Sequence, residues 1–136
     1  MKNVNEEAEI HELIERWAEA VRAADVNGVV ANHTDDMVMF DVPPPSPLLG
    51  IGAYRDSWLP FFKWQREHDG VFEIISMDVT AGTDVAFVRA LLRCGSRQAS
   101  ASDFDSCLRL TVGLRKQDGR WRIAHEHHSY PLQSTG

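Results

Sequence analysis

The order of the periodic segments constrains the fold of this chain more than any other feature of its sequence. From Ile10 to Ala24, apolar residues recur every three or four positions, which predicts a long helix with one buried stripe. Helices followed by strands are typical of an α+β domain in which helices pack on one face of a curved antiparallel sheet. The strand segments are runs rich in β-branched and apolar residues, at positions 71–79, 85–94, 104–116 and 120–129.

Shorter elements are predicted between these two parts. Asp25 is a candidate N-cap for a short second helix, in which His33 occupies an inner position. Residues 37–42 form an apolar run that predicts a strand, and the prolines that follow end the sheet there because proline has no backbone N–H. Helical spacing then returns in an aromatic stripe made of Tyr54, Trp58, Phe61 and Phe62.

The size and charge of the chain exclude several classes of protein. Its 136 residues predict a single domain over residues 1–136. The net charge of −6 lacks the basic surface that nucleic acids and anionic membranes attract. No apolar run approaches the roughly 20 residues of a membrane span, and the two cysteines, Cys94 and Cys107, fit reduced thiols. We therefore expect a cytoplasmic protein without nucleic acid or membrane partners.

Asp41 is the first candidate for chemistry, because it ends an otherwise apolar strand just before the prolines. Burial in apolar surroundings makes a carboxylate a stronger base, which suits abstraction of a proton next to a carbonyl group. Aspartate is also a common turn former, and its carboxylate can cap the turn before Pro43. Both interpretations of Asp41 stay open from the residues alone.

Three histidines and a glutamate close the last predicted strand as His125, Glu126, His127 and His128. Strand alternation places His125 and His127 on the same face as Trp121. This pair could bind a metal if a carboxylate approached it, could supply hydrogen bonds in the wall of a polar pocket, or could lie at a solvated edge. The spacing is not that of a helical zinc site, and we expect neither a metal nor another cofactor.

A further predicted strand, residues 105–116, has an apolar face and a mixed polar face. If a pocket covers the polar face, Arg109 and Thr111 can donate to a ligand; if the apolar face is inward, both are exposed. The sequence leaves the two orientations open. The alternating sets are Leu108, Leu110, Val112 and Leu114 against Cys107, Arg109, Thr111 and Gly113.

The order of these elements and several local strings resemble the NTF2-like superfamily, and most closely its SnoaL-like and ketosteroid-isomerase-like bacterial members. The strings lie at residues 25–28, 34–41 and 119–129, together with Gly50 and the aromatic helix after it. The resemblance covers nearly the whole chain. It implies a cone-shaped α+β fold of the cystatin-like type, with N-terminal helices and a curved antiparallel sheet around a pocket, and a homodimer through the outer face of the sheet.

The resemblance also implies roles for individual residues. In the ketosteroid isomerases the general base is an aspartate at the end of a strand, and Asp41 falls on that position. The donors of the isomerase's oxyanion hole fall on Trp17 and Thr111, which are weaker donors than the family's tyrosine and protonated aspartic acid. Other SnoaL-like enzymes use histidine in the same cavity, which keeps His125 and His127 as candidates.

We therefore predict a pocket for a small hydrophobic or carbonyl-containing molecule. Asp41 would act as acid or base, and His127, supported by His125, would polarise the ligand. The predicted reaction is proton transfer next to a carbonyl, of isomerase or cyclase type; the alternative is a non-catalytic domain that senses ligands or dimerises. The expected lining residues are Trp17, Met39, Tyr54, Trp58, Phe62, Arg109 and Thr111.

Overall fold

Three helices and six strands make up the part of the chain that the structure, a computed structural model, describes: residues 4–96 and 107–132. The predicted α+β class is confirmed. The helices are α1 (Val4–Arg22), α2 (Val26–Val30) and α3 (Ile51–Glu67). The strands are β1 (His33–Phe40), β2 (Leu48–Leu49), β3 (Gly70–Ala81), β4 (Val85–Ser96), β5 (Leu108–Gln117) and β6 (Arg120–Ser129).

Some predicted boundaries are wrong at the ends of elements. The strand predicted at residues 37–42 begins at His33 and ends at Phe40, so His33 belongs to β1 and not to the second helix. The two-residue strand β2 was not predicted, because two apolar residues show no periodicity. The predicted beginning of the fifth strand, residues 104–106, lies outside the described residues.

The six strands form one sheet in the order β2-β1-β6-β5-β4-β3. Most neighbours are antiparallel as predicted, but β1 runs parallel to β6. The hairpin connections of the second half enforce antiparallel pairing only between consecutive strands, whereas β1 and β6 are separated by α3 and four strands. As a result β6 lies inside the sheet, between β1 and β5.

The core lies between α1 and the inner face of the sheet. The predicted stripe of α1 is buried, with Ile10, Ile14 and Val21 fully inaccessible. The inner side of β5 is its apolar face, which resolves the orientation that the sequence left open. Arg109 and Thr111 are therefore exposed on the outer face, and the prediction that they line the pocket is wrong.

A one-residue bulge interrupts β6. Leu114 of β5 pairs with Ile123, but its neighbour Gly113 pairs with His125, so Ala124 has no partner in the ladder. Such an extra residue reverses the alternation of side chains along the strand beyond it.

The bulge decides which side chains at the end of β6 face the core. Trp121 and Ile123 are buried before it, and Glu126 and His128 are buried after it, while His127 is exposed. Uninterrupted alternation predicted the opposite. The bulge therefore replaces the predicted inward histidine pair with an inward Glu126 and His128.

The outer face of the sheet exposes several large apolar side chains. Phe40 is 40% exposed and Phe87 is 47% exposed. The ring of Phe40 contacts the imidazoles of His125 and His127 edge-on, at centroid distances of 4.9 and 5.4 Å. The predicted homodimer through this face stays a prediction, as does the predicted cytoplasmic location. Among residues 4–96 and 107–132, none of the helices combines the length and hydrophobicity of a membrane-spanning segment.

Candidate functional site

A buried polar cluster around Glu126 joins four elements of the fold. The Oε2 atom of Glu126 accepts hydrogen bonds from His33 Nε2 at 2.6 Å and from the Tyr54 hydroxyl at 2.7 Å. The Oε1 atom accepts from His128 Nε2 at 2.8 Å. The Trp17 indole N–H donates in turn to the Tyr54 hydroxyl at 2.9 Å. Side chains of α3, β1 and β6 thus meet at one fully buried carboxylate, and α1 joins them through Tyr54.

The hydrogen-bond acceptors around the imidazoles of His33 and His128 indicate which ring nitrogens donate. His33 Nδ1 lies 2.9 Å from the Ala31 carbonyl oxygen, which can only accept, and Nε2 faces the Glu126 carboxylate. Both ring nitrogens of His33 therefore face acceptor oxygens, which is the arrangement that suits a ring with two N–H donors. The hydrogen bond from His128 Nε2 to Glu126 leaves Nδ1 as the ring nitrogen that the carboxylate does not engage.

Charge and burial act in opposite directions on Glu126. Burial raises the pKa of this carboxyl, but hydrogen bonds from His128 and His33 and the positive charge of the imidazoles outweigh burial and hold the pKa at about 2. Burial and the negative charge of Glu126 both raise the pKa of Tyr54 well above its ordinary value. The carboxyl therefore stays ionised and the phenol stays a donor.

The lowered pKa of Glu126 makes stability depend on pH in the acid range. In the unfolded chain the carboxyl has an ordinary pKa of 4.5, whereas in the folded protein it is about 2. The contribution of the ionised carboxylate to the free energy of unfolding is complete above the pKa of the unfolded chain and is lost as the pH falls through the pKa of the folded protein. This contribution is on the order of 3 kcal/mol. Urea unfolding between pH 5 and pH 2.5 should show the free energy of unfolding falling steeply in the wild type and less steeply in Glu126→Gln. Equal slopes for the two proteins would contradict the ion pairing.

A cavity of about 700 Å³ lies beside the cluster. Its walls come from the end of β1, the proline segment, α3 and the inner side of the sheet, and they are mainly apolar. The apolar lining residues are Met39, Val42, Pro43, Pro44, Pro45, Leu48, Ala53, Trp58, Pro60, Phe61, Phe72, Cys94 and Leu108. The polar lining residues are Asp41, Asp56, Ser57, His128 and Tyr130.

His128 connects the buried cluster to the cavity. It lines the cavity, and the rings of Trp17 and Trp58 contact it edge-on at centroid distances of 6.2 and 6.1 Å, which fixes the plane of the imidazole. Because Nε2 is bound to Glu126, Nδ1 is the nitrogen available to a ligand. The arrangement of carboxylate, imidazole and apolar cavity is suited to general acid–base catalysis.

Asp41 lies at the edge of the same cavity. The residue is half-buried, lines the cavity, and its Oδ1 accepts a hydrogen bond from the Val42 backbone N–H at 2.8 Å. The structure thus shows the turn contact that the sequence allowed and also the position beside an apolar space. Its predicted role as acid or base stays a prediction.

The other predicted site residues divide into three groups. Met39 and Trp58 line the cavity as expected. Trp17 and Tyr54 lie behind it in the hydrogen-bonded cluster, and Phe62 is buried in the core, stacked on Trp58.

The third group faces the outer side of the sheet, which corrects its predicted role. His127 is exposed. His125 is half-buried, and its Nδ1 lies 2.7 Å from the Val38 carbonyl oxygen. Arg109 donates to the Ser129 hydroxyl and the Tyr130 carbonyl, both at 3.2 Å. Thr111, the position that the resemblance gave to an oxyanion donor, is exposed on the same face. None of these residues contributes a side chain to the cavity.

Sequence reasoning missed three members of the site: His33, Glu126 and His128. The string at the end of the last strand was recognised, but its inward members were misassigned because nothing in the sequence marks the bulge at Ala124. Within the described residues, no group of three or more His, Cys, Asp or Glu side chains is arranged to hold a metal ion.

Comparisons with known proteins identify relatives over nearly the whole chain. A family model described as the SnoaL-like domain matches residues 10–133. Among solved structures, an NTF2-like protein of unknown function from Pseudomonas putida KT2440 is 35% identical with a TM-score of 0.87, over 99% of this chain and 93% of that chain. A comparison with curated proteins gives no match.

More distant structures show the same fold. A ketosteroid isomerase-like protein from Erwinia carotovora atroseptica SCRI1043 is 23% identical with a TM-score of 0.68, over 94% of this chain and 98% of that chain. An NTF2-like protein with a cystatin-like fold from Novosphingobium aromaticivorans is 16% identical with a TM-score of 0.77, over 97% and 86% of the two chains.

Proposed function

The chain belongs to the SnoaL-like domain family of NTF2-like proteins, and from that membership we propose a reaction class for its cavity. The protein binds a hydrophobic small molecule that carries a carbonyl group, and His128 transfers a proton at the carbon next to that group. The observation that carries the proposal is the position of His128, whose imidazole lines the cavity while Glu126 holds its Nε2.

The chemistry of proton abstraction supports His128 as the base. Imidazole is effective near neutral pH, because its conjugate acid is neither too strong nor too weak to exchange protons there. The hydrogen bond from Nε2 to Glu126 selects the tautomer with a lone pair on Nδ1 and stabilises the imidazolium that forms when Nδ1 takes a proton. Apolar walls limit the water that competes for that proton.

The cavity walls support a hydrophobic ligand with a polar group at one end. The proline segment, Phe61 and Phe72 offer apolar contact, while His128 and Asp41 supply polar groups. In this proposal Asp41 orients a ligand hydroxyl group, because a half-buried carboxylate is an acceptor.

Exchange of carbon-bound protons for deuterium tests the proposal without knowledge of the natural ligand. We suggest 2-tetralone as the probe, because its C1 protons are activated both by the carbonyl group and by the aromatic ring. Proton NMR in D2O should show the wild type accelerating exchange at C1 above the rate in buffer. Ala53→Phe, which fills the cavity, should abolish the acceleration, whereas Ala23→Phe at an exposed position should retain it.

The outcomes separate catalysis from binding. Binding of 2-tetralone without accelerated exchange would contradict proton transfer and favour the alternative of a ligand-sensing domain. If 2-tetralone neither binds nor exchanges its protons faster, the assignment of the cavity to a hydrophobic carbonyl compound is contradicted.

A further inference from the structure

The charges around the cavity suggest which ligands it accepts. Two carboxylates, those of Asp41 and Asp56, line it, and they come from different elements, the segment after β1 and helix α3. No lysine or arginine is among the lining residues in the described part of the chain. The guanidinium of Arg109, which reaches the Tyr130 backbone, lies on the outer face of the sheet and is bonded there.

The negative charge of Asp41 extends to other groups of the cavity wall. Burial raises the pKa of the Tyr130 hydroxyl and of the Cys94 thiol, and the charge of Asp41 raises both further. Both groups line the same cavity. An anionic ligand in this space would meet the same repulsion.

The N-terminus of helix α3 is a source of positive potential close to these carboxylates. Helix α3 begins at Ile51, close to the lining residue Ala53, and a helix N-terminus carries roughly half an elementary positive charge. Asp56 is exposed and lies within the second turn of that helix, where its negative charge offsets the positive helix end, and half-buried Asp41 adds a second negative charge at the cavity. The segment 97–106, outside the described residues, contains one arginine, Arg97, against Asp103 and Asp105, so its composition is not basic.

We infer that the cavity selects neutral or cationic hydrophobic carbonyl compounds and rejects carboxylates, phosphates and anionic carrier thioesters, an inference that rests on the proposed function of the cavity. An anion that enters a cavity with apolar walls loses its hydration and gains no lysine or arginine partner among the lining residues that the structure describes. For a neutral ketone the free-energy cost of lost hydration is much smaller. The substrate is therefore a free neutral or cationic molecule and not a form tethered to an anionic carrier.

Three naphthalene compounds of nearly equal size test the charge preference: 2-acetylnaphthalene, 2-naphthoate and 2-naphthylmethylammonium. Isothermal titration calorimetry at pH 7 and low salt should show the ketone and the ammonium ion binding, and the carboxylate binding at least about tenfold more weakly than the ketone. The double variant Asp41→Asn/Asp56→Asn should reduce this ratio several-fold. Asp78→Asn/Asp118→Asn removes the same net charge at exposed positions outside the cavity and should leave the ratio unchanged.

If 2-naphthoate binds as tightly as 2-acetylnaphthalene, the charge preference is overturned. The proposed function stands in that case, because the ketone still binds. An equal change of the ratio in both double variants would also overturn it, because the discrimination would then come from net charge and not from the cavity. Failure of all three compounds to bind would overturn the preference together with the proposed function.

Discussion

His128→Gln is expected to slow the exchange of 2-tetralone by about 10²–10⁴-fold, the usual contribution of a positioned general base. The glutamine side chain can place an amide N–H near the position of Nε2 and keep the hydrogen bond to Glu126, but it has no basic nitrogen. The fold should therefore persist, as checked by circular dichroism, while the rate falls. Proton NMR in D2O measures the rate.

His127→Gln is the matched control for this variant. It makes the same substitution one residue earlier on β6, at an exposed position on the outer face of the sheet. The wild-type exchange rate should be retained. Loss of exchange in His127→Gln would show that the base has been assigned to the wrong residue. Loss of exchange in Asp41→Asn, with exchange retained in His128→Gln, would show the same.

Glu126→Leu is expected to lower the free energy of unfolding by about 3–5 kcal/mol, the range for breaking a buried ion pair. Leucine removes the acceptor for three buried donors, the nitrogens of His33 and His128 and the hydroxyl of Tyr54, and leaves them without this hydrogen-bond partner. Urea unfolding at pH 7 measures the change.

Glu12→Leu is the matched control for the stability experiment. Glu12 is exposed and pairs with Arg16 in the next turn of α1, so its loss should change stability by less than about 0.5 kcal/mol. Glu126→Gln should fall between the two, because the amide still offers an oxygen acceptor. Equal stability of Glu126→Leu and Glu12→Leu would contradict the role of the buried cluster.

Elements with sustained periodicity could be predicted from the sequence. The stripe from Ile10 to Val21 is buried as its spacing predicts, and the apolar alternation of β5 from Leu108 to Leu114 corresponds to its inner face. In both cases one repeating pattern over several turns or residue pairs outweighs local exceptions. The parallel pairing of β1 and β6 could not be predicted in this way, because it depends on contacts between residues more than eighty positions apart.

The site was predicted only in part, and the end of β6 was misassigned because of one residue. Periodicity cannot locate a bulge, since Ala124 differs in no chemical way from a residue of a regular strand. That extra residue exchanges the faces of the residues after it, so regular alternation predicted His125 and His127 where the cavity has His128. Asp41, Met39 and Trp58 were placed correctly beside the cavity because they precede the bulge and follow regular elements.

The protonation of the His128 ring tests the central claim most directly, because it requires neither a substrate nor turnover. Long-range ¹H–¹⁵N correlation spectra at pH 7 report which ring nitrogens carry protons, and comparison with His128→Gln assigns the signals. The proposal that His128 is the base requires a protonated Nε2, held by Glu126, and an unprotonated Nδ1. A proton on Nδ1, whether with or without one on Nε2, would contradict the assignment of His128 as the base.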